Sequence, residues 1–277
     1  MCALNTAIAE PKANTNIITS GLKRFRFPQP NVLKPKLAPK TRTVGQLIHS
    51  AHSGKSPTAL LGECADGTPF IIELGDPQMG AILIGCDSGA GKTHHLQVLA
   101  DSAIKMNTLN SIELAVITFK PDEWQSWRKN PEIGKHLQGI YAWYDPWAEE
   151  LINNLIDLAE TRHSEQQNGT GVLLLLDDIS FIEELGYEAQ VNLHWLLEYG
   201  NQAGVYIVGT MKAQRTPQFR FWVDPFRTRI VGKIMQASSA EIIAQRNDSA
   251  ADSLDPAMFR IRTGSRWRTY RLPLLGD

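Results

Sequence analysis

Residues 81–99 constrain the sequence most, because a short apolar strand, a glycine-rich loop and an amphipathic helix follow one another there. The loop has the sequence Cys86-Asp-Ser-Gly-Ala-Gly-Lys-Thr93. Glycines in such a loop let backbone N–H groups surround a phosphate with no side chain in the way. The start of the following helix adds partial positive charge at the same place. The segment therefore predicts a loop that binds the phosphates of a nucleotide.

The side chains of the loop predict ATP with Mg²⁺ as the ligand. Lys92 supplies a positive charge for the β- and γ-phosphates, and the Thr93 hydroxyl is a candidate ligand of Mg²⁺. Cys86 occupies the position of the first glycine in the G-x-x-x-x-G-K-[ST] pattern, and we expect the loop to tolerate it. The predicted nucleotide contacts are Asp87, Ser88, Gly89, Ala90, Gly91, Lys92, Thr93 and His94.

Residues 172–178 form an apolar run that ends in two acids, Asp177 and Asp178. An apolar run of this kind is typical of a central strand in a parallel sheet. We predict that Asp177 supports the Mg²⁺ ion and that Asp178 orients or deprotonates the attacking water, with Lys92 stabilising charge. The alternatives are that Asp177 only caps the strand end and that Asp178 only faces solvent.

Strand and helix patterns alternate from residue 79 onward and predict an α/β fold with three layers and a mainly parallel sheet. Before them, residues 58–74 predict a β-hairpin that turns at Asp66–Gly67. We assign residues 1–42 to a flexible basic arm and 43–277 to one motor domain. The predicted strands are 81–85, 112–119, 172–177, 204–209 and 229–234, and the main helices are 93–105, 148–163 and 190–203.

Charge is unevenly distributed although the net charge is −1. Glu10 is the only acid among residues 1–42, which are rich in lysine and arginine, and residues 260–271 contain arginines and no acid. Both regions suit a polyanion such as DNA. The alternative is a solvated tail followed by a charged strand at the edge of a sheet. No apolar run is long enough to span a bilayer and no secretory signal is evident, so we expect a cytoplasmic or virion-associated protein.

Beyond the phosphate loop, the sequence resembles the FtsK/SpoIIIE and HerA superfamily of DNA-translocating ATPases over about residues 67–271. No single segment identifies this superfamily, but the order of the segments around the phosphate loop does. The segments that carry the resemblance are Gly67–Pro77, Asp87–Thr93, Ile117–Glu123, Leu158–His163, Gly204–Thr210 and Phe226–Ile230.

The resemblance implies a P-loop NTPase with a RecA-like core that contains an additional strand. It also implies a homo-oligomeric ring, expected to be a hexamer, with ATP between subunits and double-stranded DNA in the pore. Arg229, or Arg227 beside it, would be the arginine finger that reaches a neighbouring subunit; the alternative is a surface ion pair. A capsid or membrane-channel partner would fit a compact packaging or transfer motor.

Three departures from the family pattern leave the function open. Met211 replaces a glutamine that senses the γ-phosphate, Asp178 replaces a glutamate, and Ala240 replaces an arginine. We therefore keep three hypotheses: a DNA translocase or packaging motor, a nucleotide-binding scaffold with weak hydrolysis, and a secretion or conjugation ATPase that moves protein. Residues 218–225 are aromatic and basic, and they predict either a pore loop or a loop that caps the core.

Overall fold

The computed structural model describes residues 41–49, 56–165, 169–245, 251–263 and 266–276. Within them lies a ten-stranded sheet with the order β2-β1-β10-β9-β8-β3-β7-β6-β4-β5. The strands are β1 (Thr58–Cys64), β2 (Pro69–Glu73), β3 (Ile82–Cys86), β4 (Ile112–Thr118), β5 (Leu137–Ala142), β6 (Gly171–Asp177), β7 (Val205–Lys212), β8 (Thr228–Val231), β9 (Met258–Thr263) and β10 (Arg266–Arg271). The helices are α1 (Val44–Ile48), α2 (Lys92–Met106), α3 (Gln125–Lys129), α4 (Pro131–His136), α5 (Pro146–Glu165), α6 (Tyr187–Tyr199), α7 (Arg220–Val223) and α8 (Ala237–Ala244).

The sheet has a parallel part and an antiparallel part. Strands β8, β3, β7, β6, β4 and β5 are parallel to one another. Strands β9, β10, β1 and β2 continue the sheet beyond β8 with antiparallel pairing. The predicted α/β fold with a mainly parallel RecA-like sheet is confirmed. Sequence patterns did not predict β5, and they offered the region of β9 and β10 only as a charged strand at a sheet edge.

Helices cover the two faces of the sheet because alternate residues of the central strands point to opposite sides. In β6, Leu173 and Leu175 belong to one apolar cluster, whereas Leu174 and Leu176 belong to the other. The first cluster includes residues of α2, and the second includes residues of α5 and α6. This burial on both faces explains why β6 is an uninterrupted apolar run in the sequence.

The strands β9 and β10 lie inside the sheet, between β8 and β1. Their predicted alternative role as a charged sheet edge is therefore wrong; β2 and β5 are the outer strands of the described sheet. Phe259 and Tyr270 point into the core, whereas Arg266, Arg268 and Arg271 are exposed. At Arg271 the strand β10 pairs with both β9 and β1, whereas at Arg266 and Arg268 it pairs with β9.

Most of the predicted N-terminal arm, residues 1–40, lies outside the described residues. Its last residue, Arg42, is described, and its guanidinium forms an ion pair of 2.7 Å with Glu63 and also donates to the carbonyl oxygen of Gly67. Thr43 then caps α1 through a reciprocal pair of hydrogen bonds with Gln46. None of the helices in the described part of the chain is both long and apolar enough to cross a lipid bilayer.

Candidate nucleotide-binding site

The phosphate loop joins the carboxyl end of β3 to the start of α2. Gly89 and Gly91 have φ angles of 78° and 103°, in the left-handed region that favours glycine. A Cβ atom at Gly89 would have no heavy atom within 4 Å, so the loop opens towards free space. No side chain caps the start of α2 at Gly91. The first N–H groups of that helix are therefore available to an anion.

The Lys92 ammonium group lies inside the loop. Its Nζ donates to the carbonyl oxygen of Cys86 at 3.1 Å and to that of Asp87 at 3.0 Å. Its third contact is a long hydrogen bond of 3.9 Å to Cys86 Sγ. A thiol is a weak acceptor, so a phosphate oxygen would replace this contact at little cost. Cys86 is fully buried, and burial raises the pKa of its thiol to about 12. The thiol is therefore neutral and adds no negative charge where a phosphate would bind.

Asp177 connects the phosphate loop to two neighbouring strands. Its Oδ2 accepts from the Thr93 hydroxyl at 2.9 Å, and its Oδ1 accepts from the Thr210 hydroxyl at 2.9 Å. Burial raises the pKa of the Asp177 carboxyl, although these two hydrogen bonds oppose the rise. The predicted metal-binding residues, Thr93 and Asp177, thus lie in direct contact.

The donor atoms at this position fit Mg²⁺ together with a phosphate. A hydroxyl and a carboxylate are hard oxygen ligands, and Mg²⁺ usually combines one or two protein ligands with phosphate and water. Among the described residues, no group of three or more His, Cys, Asp or Glu side chains could hold a metal ion by itself. The site therefore suits a metal that arrives with a nucleotide.

Asp178 follows Asp177 at the carboxyl end of β6 and is 7% exposed. Its Oδ1 accepts from the backbone N–H of Ser180 at 3.0 Å and caps the short helix Ile179–Glu184. Its Oδ2 is buried and has no hydrogen-bond partner in the described structure. A buried carboxylate oxygen without a partner is costly unless a ligand or water donates to it. Asp178 therefore has one oxygen bound within the protein and one buried oxygen without a described partner, and its role in hydrolysis remains a prediction.

Asp87 has a different role from the other loop residues. Its Oδ1 accepts from the Gln214 side chain at 2.8 Å, and its Oδ2 accepts from the backbone N–H of Met235 at 2.8 Å. The carboxylate therefore ties the phosphate loop to the segments that follow β7 and β8, and the Asp87 backbone N–H donates to the Lys233 carbonyl oxygen at 2.9 Å. The predicted contact of Asp87 with a nucleotide remains a prediction. Sequence reasoning missed Gln214, which lies three positions after Met211.

Met211 is fully buried in β7 and pairs in register with Gly85. Its side chain belongs to the apolar cluster beneath α5 and α6. The residue at this position is therefore part of the core, and the polar side chain nearest to it that reaches the phosphate loop is Gln214.

The two histidines after the loop contact the C-terminal strands. The His94 ring forms a hydrogen bond of 2.9 Å with the Pro273 carbonyl oxygen. His95 is fully buried against the Phe259 and Tyr270 rings, and burial lowers its pKa to about 3. One ring nitrogen of His94 thus already binds the protein's own backbone. The predicted contact of His94 with a nucleotide remains a prediction.

Arg229 is 5% exposed, and burial lowers its pKa to about 10. Its guanidinium donates to the carbonyl oxygens of Phe226 at 2.6 Å and Asp224 at 3.3 Å. Arg227 is exposed and donates to the Pro77 carbonyl oxygen at 3.3 Å. Of the two arginine-finger candidates, Arg227 is the one that lies at the protein surface.

The aromatic segment 218–225 contributes mainly to the core. Phe219, Trp222 and Val223 are buried, which favours the core-capping alternative for these residues. Phe221 is 65% exposed and stacks on the His194 ring with centroids 4.5 Å apart. Only Phe221 therefore offers an aromatic surface from this segment.

No protein-family model and no curated protein matches the sequence. Solved structures are similar to it. EccC of Thermomonospora curvata (ATPases 2 and 3, in complex with a signal sequence peptide) has a TM-score of 0.67 at 14% identity over 87% of this chain and 44% of its own. The chain therefore spans less than half of that structure.

Two conjugation proteins are also similar. The pCW3 conjugation coupling protein TcpA, solved with ATPγS, has a TM-score of 0.64 at 15% identity and covers 86% of this chain and 70% of its own. The bacterial conjugative coupling protein TrwB has a TM-score of 0.53 at 11% identity and covers 84% and 93%. The chain has the fold of the FtsK/HerA-type P-loop ATPases, as the sequence resemblance predicted.

Proposed function

We propose that the chain is an ATP-hydrolysing motor that moves DNA, as a translocase or as a packaging or transfer ATPase. The observation that carries the ATPase part is the contact of Thr93 with Asp177 beside an open phosphate loop. The contact places a metal-ligating hydroxyl and carboxylate next to the Lys92 ammonium group. These are the groups that phosphoryl transfer from a nucleotide requires.

In the proposed reaction, a water oxygen attacks the γ-phosphorus while the bond to the β–γ bridging oxygen breaks, giving ADP and phosphate. Lys92 and the N–H groups of the loop stabilise the charge on the phosphate oxygens. Asp178 Oδ2 holds the attacking water and accepts its proton, and Oδ1 stays bound to Ser180. Mg²⁺, when bound at Thr93 and Asp177, supplies further charge neutralisation for the β- and γ-phosphates.

The DNA part of the proposal rests on the exposed arginines of β9 and β10. Arg266 and Arg268 are exposed on one face of the antiparallel pair β9–β10. Exposed Arg271 belongs to the other face, where Arg260 lies over the Trp267 ring at 4.5 Å. Such a surface binds phosphates through counterion release, without base specificity. A motor that moves along duplex DNA needs this kind of contact.

We further propose that subunits assemble into a ring, with hexamer as the working stoichiometry, and that Arg227 completes the neighbouring site. Arg227 is exposed, whereas Arg229 is bound to its own loop. A capsid or membrane-channel partner, and a cytoplasmic or virion location, belong to the same proposal.

The experiment is an ATPase assay with and without duplex DNA at low and moderate salt. We expect DNA to stimulate hydrolysis severalfold and the stimulation to decrease with salt. Lys92→Ala should abolish turnover under all conditions. An Arg266→Ala/Arg268→Ala variant should lose the stimulation and keep its basal rate, whereas Lys129→Ala/Lys135→Ala, which removes exposed charges on α3 and α4, should keep both.

The second candidate is an ATPase that moves protein. It is favoured by the similarity to EccC, which was solved with a signal sequence peptide. It predicts that DNA leaves hydrolysis unchanged and that a protein partner stimulates it. A rate that DNA does not alter at any salt concentration, in a chain that hydrolyses ATP, would favour this candidate over the DNA motor.

A further inference from the structure

A large cavity lies at the edge of the sheet opposite to the phosphate loop. It has a volume of about 1070 Å³ and is lined by residues at the starts of β6 and β7 and by the last turns of α5 and α6. The phosphate loop and Asp177 lie at the carboxyl ends of the same parallel strands. The two sites lie at opposite ends of strands such as β6, which has seven residues. At ~3.3 Å per residue they are about 20 Å apart. The cavity is therefore separate from the ATPase site.

Arg162 supplies positive charge to the cavity wall. Its guanidinium donates to the carbonyl oxygens of Ala203 at 2.8 Å and Thr170 at 2.6 Å, which fixes its orientation. A guanidinium has five N–H donors, so these two bonds leave three. No carboxylate of the described residues forms an ion pair with Arg162, and the described lining contains no Asp or Glu. The cavity wall therefore presents a guanidinium of fixed orientation whose remaining N–H groups can bind a ligand.

Tyr206 and Asn201 add polar groups to the same wall. Tyr206 is a cavity residue, and burial raises the pKa of its hydroxyl, although the positive charge of Arg162 opposes the rise. Asn201 donates from its side-chain nitrogen to the Leu74 carbonyl oxygen at 2.8 Å, whereas its Oδ1 is buried without a partner.

Two aromatic rings border the cavity. Trp195 and Tyr199 lie one turn apart on α6, with ring centroids 5.3 Å apart, and they are 37% and 46% exposed. Exposed rings on one helix face, beside a cationic wall, provide a stacking surface for a planar group. The cavity thus combines a cation with a stacking surface.

We propose that this cavity binds a nucleotide, free or within a strand, with its phosphate at Arg162 and its base on Trp195 and Tyr199. A nucleotide carries an anion that suits the Arg162 guanidinium and a planar ring that suits the two aromatic side chains. This second nucleotide site uses no residue of the phosphate loop and does not depend on the proposed motor function.

The test uses full-length Lys92→Ala protein, in which the phosphate loop lacks its ammonium group, and AMP, which lacks the β- and γ-phosphates that the loop binds. Binding is measured by calorimetry, and its location by photo-crosslinking with 8-azido-AMP and peptide mapping. We expect AMP to bind, with the cross-link in α6. The single-stranded oligonucleotide dT10 is the second probe; if it binds and AMP does not, the site takes its nucleotide from a strand.

Trp195→Ala, added to Lys92→Ala, is the deciding variant, because Trp195 is exposed and Arg162 also supports backbone carbonyls. Loss of one stacking partner should weaken binding about tenfold or more. Tyr206→Phe, which removes only the hydroxyl, should weaken it less. Trp147→Ala removes an exposed tryptophan outside the cavity, 61% exposed, and should leave binding unchanged. Failure of both probes to bind at millimolar concentration, cross-links elsewhere, or equal binding by the Trp195→Ala protein would overturn the proposal.

Discussion

The Thr93 hydroxyl donates a hydrogen bond of 2.9 Å to Asp177, although the two residues are 84 positions apart in the sequence. The contact joins the start of α2 to the carboxyl end of β6, and Thr210 holds the other carboxylate oxygen. Because both Asp177 oxygens are bound, the carboxylate has one orientation. A metal ion with a nucleotide would therefore meet a preorganised pair of ligands.

Replacing Thr93 by Ala should remove a metal ligand and the hydrogen bond to Asp177 together. We expect Mg²⁺-dependent ATP hydrolysis to fall by about 100-fold or more, in line with the loss of one preorganised electrostatic contact in an active site. Thr93→Ser keeps the hydroxyl and should retain most of the rate. The measurement is kcat over a range of Mg²⁺ concentrations; similar rates for the Ala and Ser variants would contradict the metal role.

Asp178→Asn should slow hydrolysis without weakening the binding of ATP. The amide oxygen can still accept from the Ser180 N–H, so the cap is kept, but the side chain can no longer accept a proton. We expect kcat to fall by about 10²–10⁴-fold, which is typical for loss of a general base, with the Kd for ATP nearly unchanged. Single-turnover kinetics and nucleotide binding test this. An unchanged kcat would assign Asp178 a purely structural role.

Gln214 and Asp87 should act as a coupled pair. Their hydrogen bond holds the phosphate loop against the segment after β7. Gln214→Ala and Asp87→Ala should each weaken ATP binding, and the double variant should lose less than the sum, with a coupling energy of about 0.5–3 kcal/mol. Strictly additive effects in the double-mutant cycle would show that the contact does not position the loop.

His95 should make stability depend on pH. Its folded pKa, about 3, is lower than the ordinary histidine value of 6.5, so the unfolded chain binds more protons between these values. The free energy of unfolding should therefore decrease as the pH falls below about 6.5, by up to ~1.4 kcal/mol per pH unit. His95→Phe removes this group and should flatten the dependence between pH 7 and pH 5. Urea unfolding at both pH values provides the measurement; an unchanged difference would contradict it.

Arg229→Ala should lower the stability of the subunit, whereas Arg227→Ala should lower the ATPase rate. Arg229 is buried and bound to two carbonyl oxygens, so its loss should destabilise the subunit by about 1–3 kcal/mol for the groups left unsatisfied. Arg227 is exposed, so its loss should leave stability within about 0.5 kcal/mol and lower the ATPase rate of the assembled protein. Thermal unfolding and ATPase assays of both variants test the two expectations.

Segments with strong local patterns were predicted well. Strands β3, β4, β6 and β7 are apolar runs between helical patterns, and the parallel sheet follows from their alternation. Strands β9 and β10 were predicted only as a charged sheet edge because exposed arginines interrupt their apolar residues, and only their pairing with β8 and β1 identifies them as interior strands. Strand β5 was missed because only Ile140 and Ala142 of it are buried, so it lacks a continuous apolar run.

The sequence by itself determined the phosphate loop, because glycine φ angles and the start of a helix depend on neighbouring residues. It also determined that an acid ends the apolar strand β6. Only the tertiary structure decided that Asp87 binds Gln214, that Arg229 is buried while Arg227 is exposed, and that Arg162, Trp195 and Tyr206 border one cavity. Those relationships join residues from different strands and helices. They depend on how the elements pack, which no local residue pattern encodes.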